Sequence, residues 1–199
     1  SPSRAAIWTG RFPHSNGVVG LAHYGFGNDL NEGEKHLAQL LAQGGMETHL
    51  FGGQHTSDQG SKRCGFQVDH GSFGPCAKAA KAFADFLEGR NKGDKPFFAK
   101  VAFGEPHRPF PHADVPALDP ATLTVPPYLP DIPEVRRDLA DLEASCSSAD
   151  KAFGVILESL RRTGFLDESI VVFTVDHGIG FPHAKMSLHD PGIETALLM

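Results

Sequence analysis

The chain has 199 residues, of which 18 are Lys or Arg and 24 are Asp or Glu, giving a formal net charge of −6. This length suits one large domain or a piece of a larger one, and a hydrophobic content of 40% excludes global disorder. The acidic balance, without any run of Lys or Arg, argues against a nucleic-acid or anionic-membrane partner recruited by bulk charge. No apolar stretch approaches the roughly 18 residues that a membrane helix needs.

Both ends of the sequence look cut. The chain opens at Ser1 without a Met or a signal-type apolar stretch, so no targeting information can be read from it. It closes on the apolar run 196–199, whereas a natural domain end is usually polar. We therefore expect an internal segment of a longer protein, with some catalytic parts outside it.

Short helices and strands separated by Gly-rich loops are expected in the first half of the chain. Pro2 suits a first helical turn and Gly10 a helix end, and leucines at helical spacing precede Gly44. The predicted elements are, in order, a helix over residues 2–9, a loop over 11–33, a helix over 34–43, a strand over 46–51 and a loop over 54–75.

The second half carries longer elements. They are a helix over residues 76–88, a strand over 95–103, a Pro-rich surface segment over 106–133, a helix over 134–163 and a strand over 169–175. The last strand is a continuous β-branched run, which is typical of a strand buried on both faces. Helices that alternate with apolar strands predict an α/β fold with a mostly parallel sheet flanked by helices.

Functional groups in such sheets collect just past the carboxyl ends of the strands. Each of the three apolar strands is followed within a few residues by a histidine, and the third also by an aspartate; the candidates are His55, His107 and the pair Asp176 and His177. Each alone also fits a turn or a surface bend. Three such histidines at one predicted edge favour a function, and the acid–imidazole pair could face a bound cation or a polar substrate.

Two cationic residues extend this set. Lys185 lies eight residues past His177 between Gly/Pro-rich turns, where an ammonium could bind an anionic group, although a solvated lysine is the default. Arg4 lies in the first turn of the opening helix, where free N–H groups and a bidentate donor suit an anion. Cations, imidazoles and an acid together indicate a phosphate or sulfate ester substrate assisted by a metal ion.

The remaining histidines and the cysteines receive a structural interpretation. His23 and His183 are left open because each lies in a Gly-rich loop near a predicted site residue. The other histidines are assigned to the surface or the core; these are His14, His36, His49, His70, His112 and His189. The cysteines are interpreted as structural or incidental, although Cys64 and Cys76 could form a disulfide in an oxidising compartment.

At the start of the chain, residues 1–11 read Ser-Pro-Ser-Arg-Ala-Ala-Ile-Trp-Thr-Gly-Arg. This run resembles the sulfatase signature Cys/Ser-x-Pro-Ser-Arg-x-x-x-x-Thr-Gly, with Ser1 at the first variable position. In that family the leading Cys or Ser becomes formylglycine, whose hydrate attacks the sulfur of the ester. The resemblance implies that the nucleophile lies immediately before Ser1.

The resemblance covers the whole chain. Four further segments are similar to sulfatase motifs, namely residues 48–55 to Gly-Lys-x-His, 97–110 to a strand ending in Pro-His-x-Pro, 173–178 to Thr-x-Asp-Asn/His-Gly and 185–198 to Lys-x-x-x-Tyr-x-Pro-Gly-x-x-x-Pro-Leu-Leu. The run 125–138 and the Gly-Ile-x-Phe-Pro that follows Gly178 look most like the sulfamidase (heparan N-sulfatase)-like branch.

The resemblance implies an alkaline phosphatase-like fold, of which residues 1–199 form part of the catalytic domain. It implies that Asp176 and His177 are ligands of one divalent cation, usually calcium. Arg4 would hold the formylglycine and His55 would contact the hydroxyl of its hydrate. His107 and Lys185 would bind the sulfate oxygens, and a histidine or lysine would assist proton transfer to the leaving group. The implied partner is a sulfated small molecule or glycan, and an extracytoplasmic or periplasmic location.

Three departures from the family pattern stand out. Gly53 replaces the lysine of Gly-Lys-x-His, so one sulfate contact is absent or supplied elsewhere, while His189 replaces a Tyr and Ala196 a Pro. The acidic pair that completes the metal site lies upstream of the nucleophile in this family, so the chain alone is expected to be inactive. The alternatives are a phosphatase or phosphodiesterase of the same superfamily and a non-catalytic relative that binds sulfated glycans.

Overall fold

The computed structural model describes residues 1–23, 25–71, 73–112 and 115–199. They form two compact units, the first made of Ser1–Phe73 and Gly89–Ala102 and the second of Gly74–Glu88 and Phe103–Met199. Within these described ranges, no helix combines the length and the apolar character that crossing a bilayer requires.

A parallel three-stranded sheet forms the centre of the first unit. Its elements are, in order, α1 (Pro2–Thr9), α2 (Pro13–Asn16), α3 (Leu37–Gln43), β1 (Glu47–Phe51), β2 (Val68–Asp69) and β3 (Phe97–Val101). Strand β1 lies between β2 and β3 and runs parallel to both. Because parallel strands place their carboxyl ends on one edge, the loops after β1 and β3 leave the sheet side by side.

Helix α1 has the bounds that the sequence predicted. Gly10 adopts the left-handed conformation (φ 66°) and donates its N–H to the Ala6 carbonyl at 2.8 Å, which ends the helix. Ala5 on its inner face packs against Val18, Ala22 and Leu30. Val18, Ala22 and Leu30 of the predicted loop are therefore packed against α1, and Pro13–Asn16 of the same loop form the short helix α2, which the sequence did not predict.

Two long helices dominate the second unit. Its elements are α4 (Cys76–Glu88), a 3₁₀ turn (Pro120–Thr122), α5 (Pro133–Thr163), a 3₁₀ turn (Leu166–Glu168), β4 (Phe173–Thr174), α6 (Asp190–Ile193) and β5 (Leu197–Leu198). Helices α4 and α5 pack together, and Arg162 forms an ion pair with Glu88. The core formed by Phe110, Leu129, Leu139, Leu142 and Phe181 ties α5 to the Pro-rich segment and to the loop after β4.

The prediction of a strand buried on both faces over residues 169–175 is wrong. Of these residues, only Phe173–Thr174 form a strand. In the described chain, this strand pairs with β5, and the two run antiparallel. Ile170 is 87% exposed and Val172 is 50% exposed. The β-branched composition was right for a strand, but burial depends on neighbouring elements that sequence composition does not specify.

The cysteines do not form the disulfide considered for Cys64 and Cys76, since all three cysteines are free. Cys64 is fully buried, and this burial raises the pKa of its thiol to about 12. A thiol that stays protonated at neutral pH is a poor nucleophile, so Cys64 is a core residue.

Candidate active site

In the first unit, Arg4 and His55 lie in contact. Arg4 comes from the first turn of α1 and His55 from the loop after β1, and the guanidinium Nη1 lies 3.5 Å from His55 Nδ1. A guanidinium can only donate, so His55 Nδ1 accepts and a neutral His55 carries its proton on Nε2. His55 also adopts a left-handed backbone conformation (φ 53°), which is uncommon for a residue other than glycine.

The surroundings of His55 disfavour its protonation. Burial lowers the pKa of His55 to about 4, and the nearby positive charge of Arg4 acts in the same direction. The imidazole is therefore neutral at physiological pH, with Nε2–H available as a donor.

Aromatic rings surround this imidazole. His23 stacks on His55 with ring centroids 4.2 Å apart, and the ring of Phe73 meets His55 edge-on at 5.5 Å. The guanidinium of Arg4 lies 5.9 Å from the centre of the Phe73 ring. His23, which the sequence left open, is thus placed beside the predicted site residue.

Phe73 also explains why position 53 has no side chain. A Cβ built on Gly53 would lie 1.9 Å from the Phe73 ring, so the space above this backbone is taken. The lysine that the sulfatase pattern has at this position has no room here while Phe73 keeps its place.

A lysine nevertheless reaches the same loop. Lys100 lies on β3 and is only 7% exposed, and its Nζ donates to the carbonyls of Gly53 at 3.0 Å and Gln54 at 2.8 Å. Lys100 is not among the residues that the sequence predicted for the site. Its position inside the apolar run 97–103 could have drawn attention to it, because a lysine in a buried strand almost always has a polar or charged partner.

In the second unit, Asp176 and His177 lie in the loop directly after β4. His177 Nδ1 is 2.8 Å from the Gly178 carbonyl and must donate to it, and Nε2 of the same ring lies 3.5 Å from Asp176 Oδ2. The Asp176 side chain is 19% exposed and that of His177 is 34% exposed. Gly178 lets the loop pack closely, since a Cβ there would lie 1.7 Å from the Pro191 carbonyl oxygen.

His107 lies on the stiff turn after Phe103. Its side chain is exposed, and Nδ1 donates to the carbonyl of Arg108 at 2.7 Å. Arg108 anchors this turn: its guanidinium contacts the rings of both Phe110 (4.5 Å) and Phe181 (4.8 Å) and donates to the Gly180 carbonyl at 2.7 Å. Arg108 thereby joins the His107 turn to the loop that carries His177.

Lys185 lies in the same loop region, further along the chain. Its backbone N–H donates to the Ile179 carbonyl at 2.9 Å, and its side chain is half-buried. His183 and Met186 on either side both have positive φ angles, 59° and 65°. This loop is thus folded back on the segment that follows His177.

The structure therefore forms two pairs from the predicted residues, Arg4 with His55 in the first unit and Asp176 with His177 in the second. Within the described ranges, no three or more His, Cys, Asp or Glu side chains are grouped as a metal site. That the full-length protein groups Arg4, His55, His107, Asp176 and Lys185 in one pocket around a cation stays a prediction.

Comparison with solved structures defines the class of fold. A protein from a Bacteroides thetaiotaomicron locus for the metabolism of multiple glycosaminoglycans aligns with 99% of this chain and 54% of its own, at a TM-score of 0.81 and 18% identity. A phosphonate monoester hydrolase from Silicibacter pomeroyi aligns with 99% of this chain and 57% of its own, at a TM-score of 0.74 and 19% identity. The fold is the alkaline phosphatase-like α/β fold, as predicted.

Sequence comparison then specifies the family. The Sulfatase family profile matches residues 1–199, so the chain belongs to the sulfatases, a family of sulfuric ester hydrolases. It is 30% identical to human N-sulphoglucosamine sulphohydrolase over its whole length. The family resemblance drawn from the motifs is thereby confirmed. The chain covers 45% of that relative, and so spans about half the length of the curated relatives it matches.

Proposed function

We propose that the protein carrying this chain hydrolyses a sulfate ester or a sulfamate, and that residues 1–199 form part of its catalytic domain. The observation that carries the proposal is the contact between Arg4 and His55 at 3.5 Å, because it joins the signature helix to the loop after β1. Two residues 51 positions apart, both of which the family resemblance assigns to the site, are thereby brought into contact.

The substrate we propose is an N-sulfated or O-sulfated sugar. Support comes from the 30% identity to a protein named N-sulphoglucosamine sulphohydrolase, which extends along the whole chain. An N-sulfated glucosamine is therefore the first substrate to test. Its sulfamate group carries one negative charge, which suits a site that holds the cationic side chain of Arg4.

In the proposed mechanism, the formylglycine that precedes Ser1 supplies the nucleophilic oxygen. Arg4 binds this oxygen and the sulfuryl group by charge-assisted hydrogen bonds. His55 is neutral and carries its proton on Nε2, so it donates to the hydroxyl of the aldehyde hydrate. The amino end of α1 adds N–H groups that favour negative charge near the nucleophile.

Asp176 and His177 fit two neighbouring ligand positions of a divalent cation. Asp176 Oδ2 lies 3.5 Å from His177 Nε2, so both atoms could bind the same cation. The hydrogen bond from Nδ1 to the Gly178 carbonyl orients this Nε2 lone pair. Calcium is the ion we propose, and it would stabilise negative charge on the sulfuryl oxygens. Its further ligands would come from outside this chain.

We assign His107 and Lys185 to the sulfate oxygens and to the leaving group. His107 uses Nδ1 to donate to the Arg108 carbonyl, so its Nε2 is the nitrogen directed to a ligand. A protonated Nε2, or the Lys185 ammonium, can transfer a proton to the departing nitrogen or oxygen.

A substrate panel tests the proposal. The complete protein is co-expressed with a formylglycine-generating enzyme and incubated with N-sulfoglucosamine, 4-nitrophenyl sulfate and a phosphonate monoester, and released anions are measured by ion chromatography. We expect sulfate from N-sulfoglucosamine, and a loss of release when the nucleophile is left unmodified. Hydrolysis of the phosphonate alone would favour the phosphotransfer alternative. Binding of N-sulfoglucosamine without release would favour the non-catalytic one.

A further inference from the structure

Lys100 is a buried lysine that the roles proposed above do not use. It lies on β3 among Phe98, Ala99 and Val101, and it is 7% exposed. Burying an ammonium costs the free energy of its hydration. A buried lysine is therefore found where hydrogen bonds to protein atoms compensate for that loss. The partners of this ammonium should therefore indicate its role.

Those partners lie in the loop that carries His55. Lys100 pairs in register with Leu50 on the neighbouring strand, so its side chain can reach past the end of β1. Its Nζ donates to the consecutive carbonyls of Gly53 at 3.0 Å and Gln54 at 2.8 Å, and it lies 5.6 Å from the centre of the Trp8 ring. The ammonium thus bridges β3 to the turn directly before His55.

This turn is a conformation that needs support. His55 has a positive φ of 53°, and the two glycines before it have no space for a side chain. A Cβ on Gly52 would lie 2.2 Å from the Ala102 carbonyl oxygen, and one on Gly53 would lie 1.9 Å from the Phe73 ring. On its other side, the Gln54 side chain accepts from the N–H groups of Thr56 and Ser57.

We infer that Lys100 is a positioning residue for His55, because its ammonium holds the Gly53 and Gln54 carbonyls and places a positive charge close to the imidazole. The catalytic meaning of this inference rests on the proposed function, whereas the positioning itself does not. The family pattern has a lysine at position 53, where this chain has Gly53. Lys100 would supply an ammonium to the same loop from β3 instead.

The charges around His55 support the same conclusion. Those that face it are Arg4 from α1, His23 from the segment after α2 and Lys100 from β3, and each acts with burial to lower the pKa of His55. Removing the Lys100 ammonium takes away one of these charges and opens the turn to water. Both changes raise the pKa of His55.

The first test is a histidine NMR titration of the complete protein, with the His55 signal assigned from a His55→Gln variant. In Lys100→Met we expect the pKa of His55 to rise by about half a pH unit or more. Lys100→Arg keeps the charge and should hold the titration near its wild-type position. Lys95→Met is the matched control, since Lys95 is exposed in the same segment.

The second test is kinetic and uses sulfate release. We expect Lys100→Met to lower kcat by about tenfold or more with a small change in KM, because misplacement affects the reaction more than binding. Lys100→Arg should recover most of the loss. The double variant Lys100→Met, His55→Gln should be no slower than His55→Gln alone, because Lys100 acts through His55.

An unchanged His55 titration in Lys100→Met would overturn the inference, and so would additive kinetic losses in the double variant. If Lys100→Met does not fold, Lys100→Gln replaces it, since the amide can donate to the same carbonyls without the charge. The inference then requires that the pKa of His55 is higher in Lys100→Gln than in the wild type. If the wild-type protein releases no sulfate, the proposed function fails, and the titration alone decides the role of Lys100.

Discussion

At the scale of single residues, the environment of each histidine decides what it can do. His36 is fully buried, caps α3 by accepting the Ala38 N–H on Nδ1 at 3.1 Å, and stacks on Trp8 with ring centroids 5.5 Å apart. Burial lowers the pKa of His36 to about 3, and the charges of Lys100 and Arg63 act in the same direction. Protonation would remove the acceptor that the cap needs, so His36 is a structural residue that must stay neutral.

This burial predicts a pH-dependent stability. Below the ordinary histidine pKa of about 6.5, His36 binds a proton in the unfolded chain. In the folded chain it does so only when the pH falls to about 3. The contribution of His36 is therefore complete above pH 6.5 and is lost as the pH falls toward 3. The free energy of unfolding should fall by up to about 1.4 kcal/mol per pH unit from this residue alone.

Urea denaturation at several pH values, followed by the fluorescence of Trp8, measures this slope. Trp8 is the single tryptophan of the chain and it contacts His36. His36→Asn keeps a side-chain acceptor for the cap but cannot titrate. The slope of its free energy of unfolding against pH should therefore be smaller by the amount that uptake of one proton contributes. Equal slopes in the wild type and His36→Asn would contradict the prediction.

The site residues were only partly predictable from the sequence. His55, Asp176 and His177 could be proposed because each follows an apolar strand, and functional groups collect at strand ends. Lys100 could not, because the direction of a lysine side chain and the carbonyls it meets depend on how β1 and β3 pair. The same holds for Phe73, whose ring fills the space over Gly53 although it lies 20 residues further along the chain.

At the scale of elements, the predictions that relied on local signals were accurate for the two long helices, whereas α3 begins at Leu37, three residues later than predicted. Helix α4 has the predicted bounds of residues 76–88, and α5 begins one residue earlier than predicted and ends before Gly164, whose φ is 77°. Helical periodicity and end residues are local, so sequence alone supplies them. The strand over 169–175 was wrong in extent and burial, because pairing is a tertiary property.

The core beneath α5 makes a prediction about stability. Leu142 packs with Phe110 and Phe181, which lie a few residues after His107 and His177. Leu142→Ala leaves a cavity there and should lower the free energy of unfolding by about 2–4 kcal/mol. Val155→Ala on the same helix is the control, since Val155 is 47% exposed and should cost less than about 0.5 kcal/mol.

Urea denaturation followed by far-UV circular dichroism measures both variants. A loss in Leu142→Ala no larger than that in Val155→Ala would show that this cluster does not hold the second unit together. The same core anchors the turns of His107 and His177, so we expect the Leu142→Ala variant to lose activity at a lower temperature than the control.

At the scale of the whole molecule, the chain is a sulfatase segment with two paired groups in separate units. Arg4 and His55 in the first unit supply a fixed cation and a neutral imidazole. Asp176 and His177 in the second supply an oxygen and a nitrogen 3.5 Å apart. The central claim is the proposal that the protein carrying this chain hydrolyses a sulfuryl group, and that Asp176 is indispensable to this reaction.

The most direct test is the rate of sulfate release from N-sulfoglucosamine by the complete, formylglycine-bearing protein and by two variants. Asp176→Ala removes the proposed cation ligand, and Asp167→Ala removes an exposed aspartate of the 3₁₀ turn before β4. We predict wild-type release in Asp167→Ala and a loss of about 100-fold or more in Asp176→Ala. Equal release by the two variants would contradict the account.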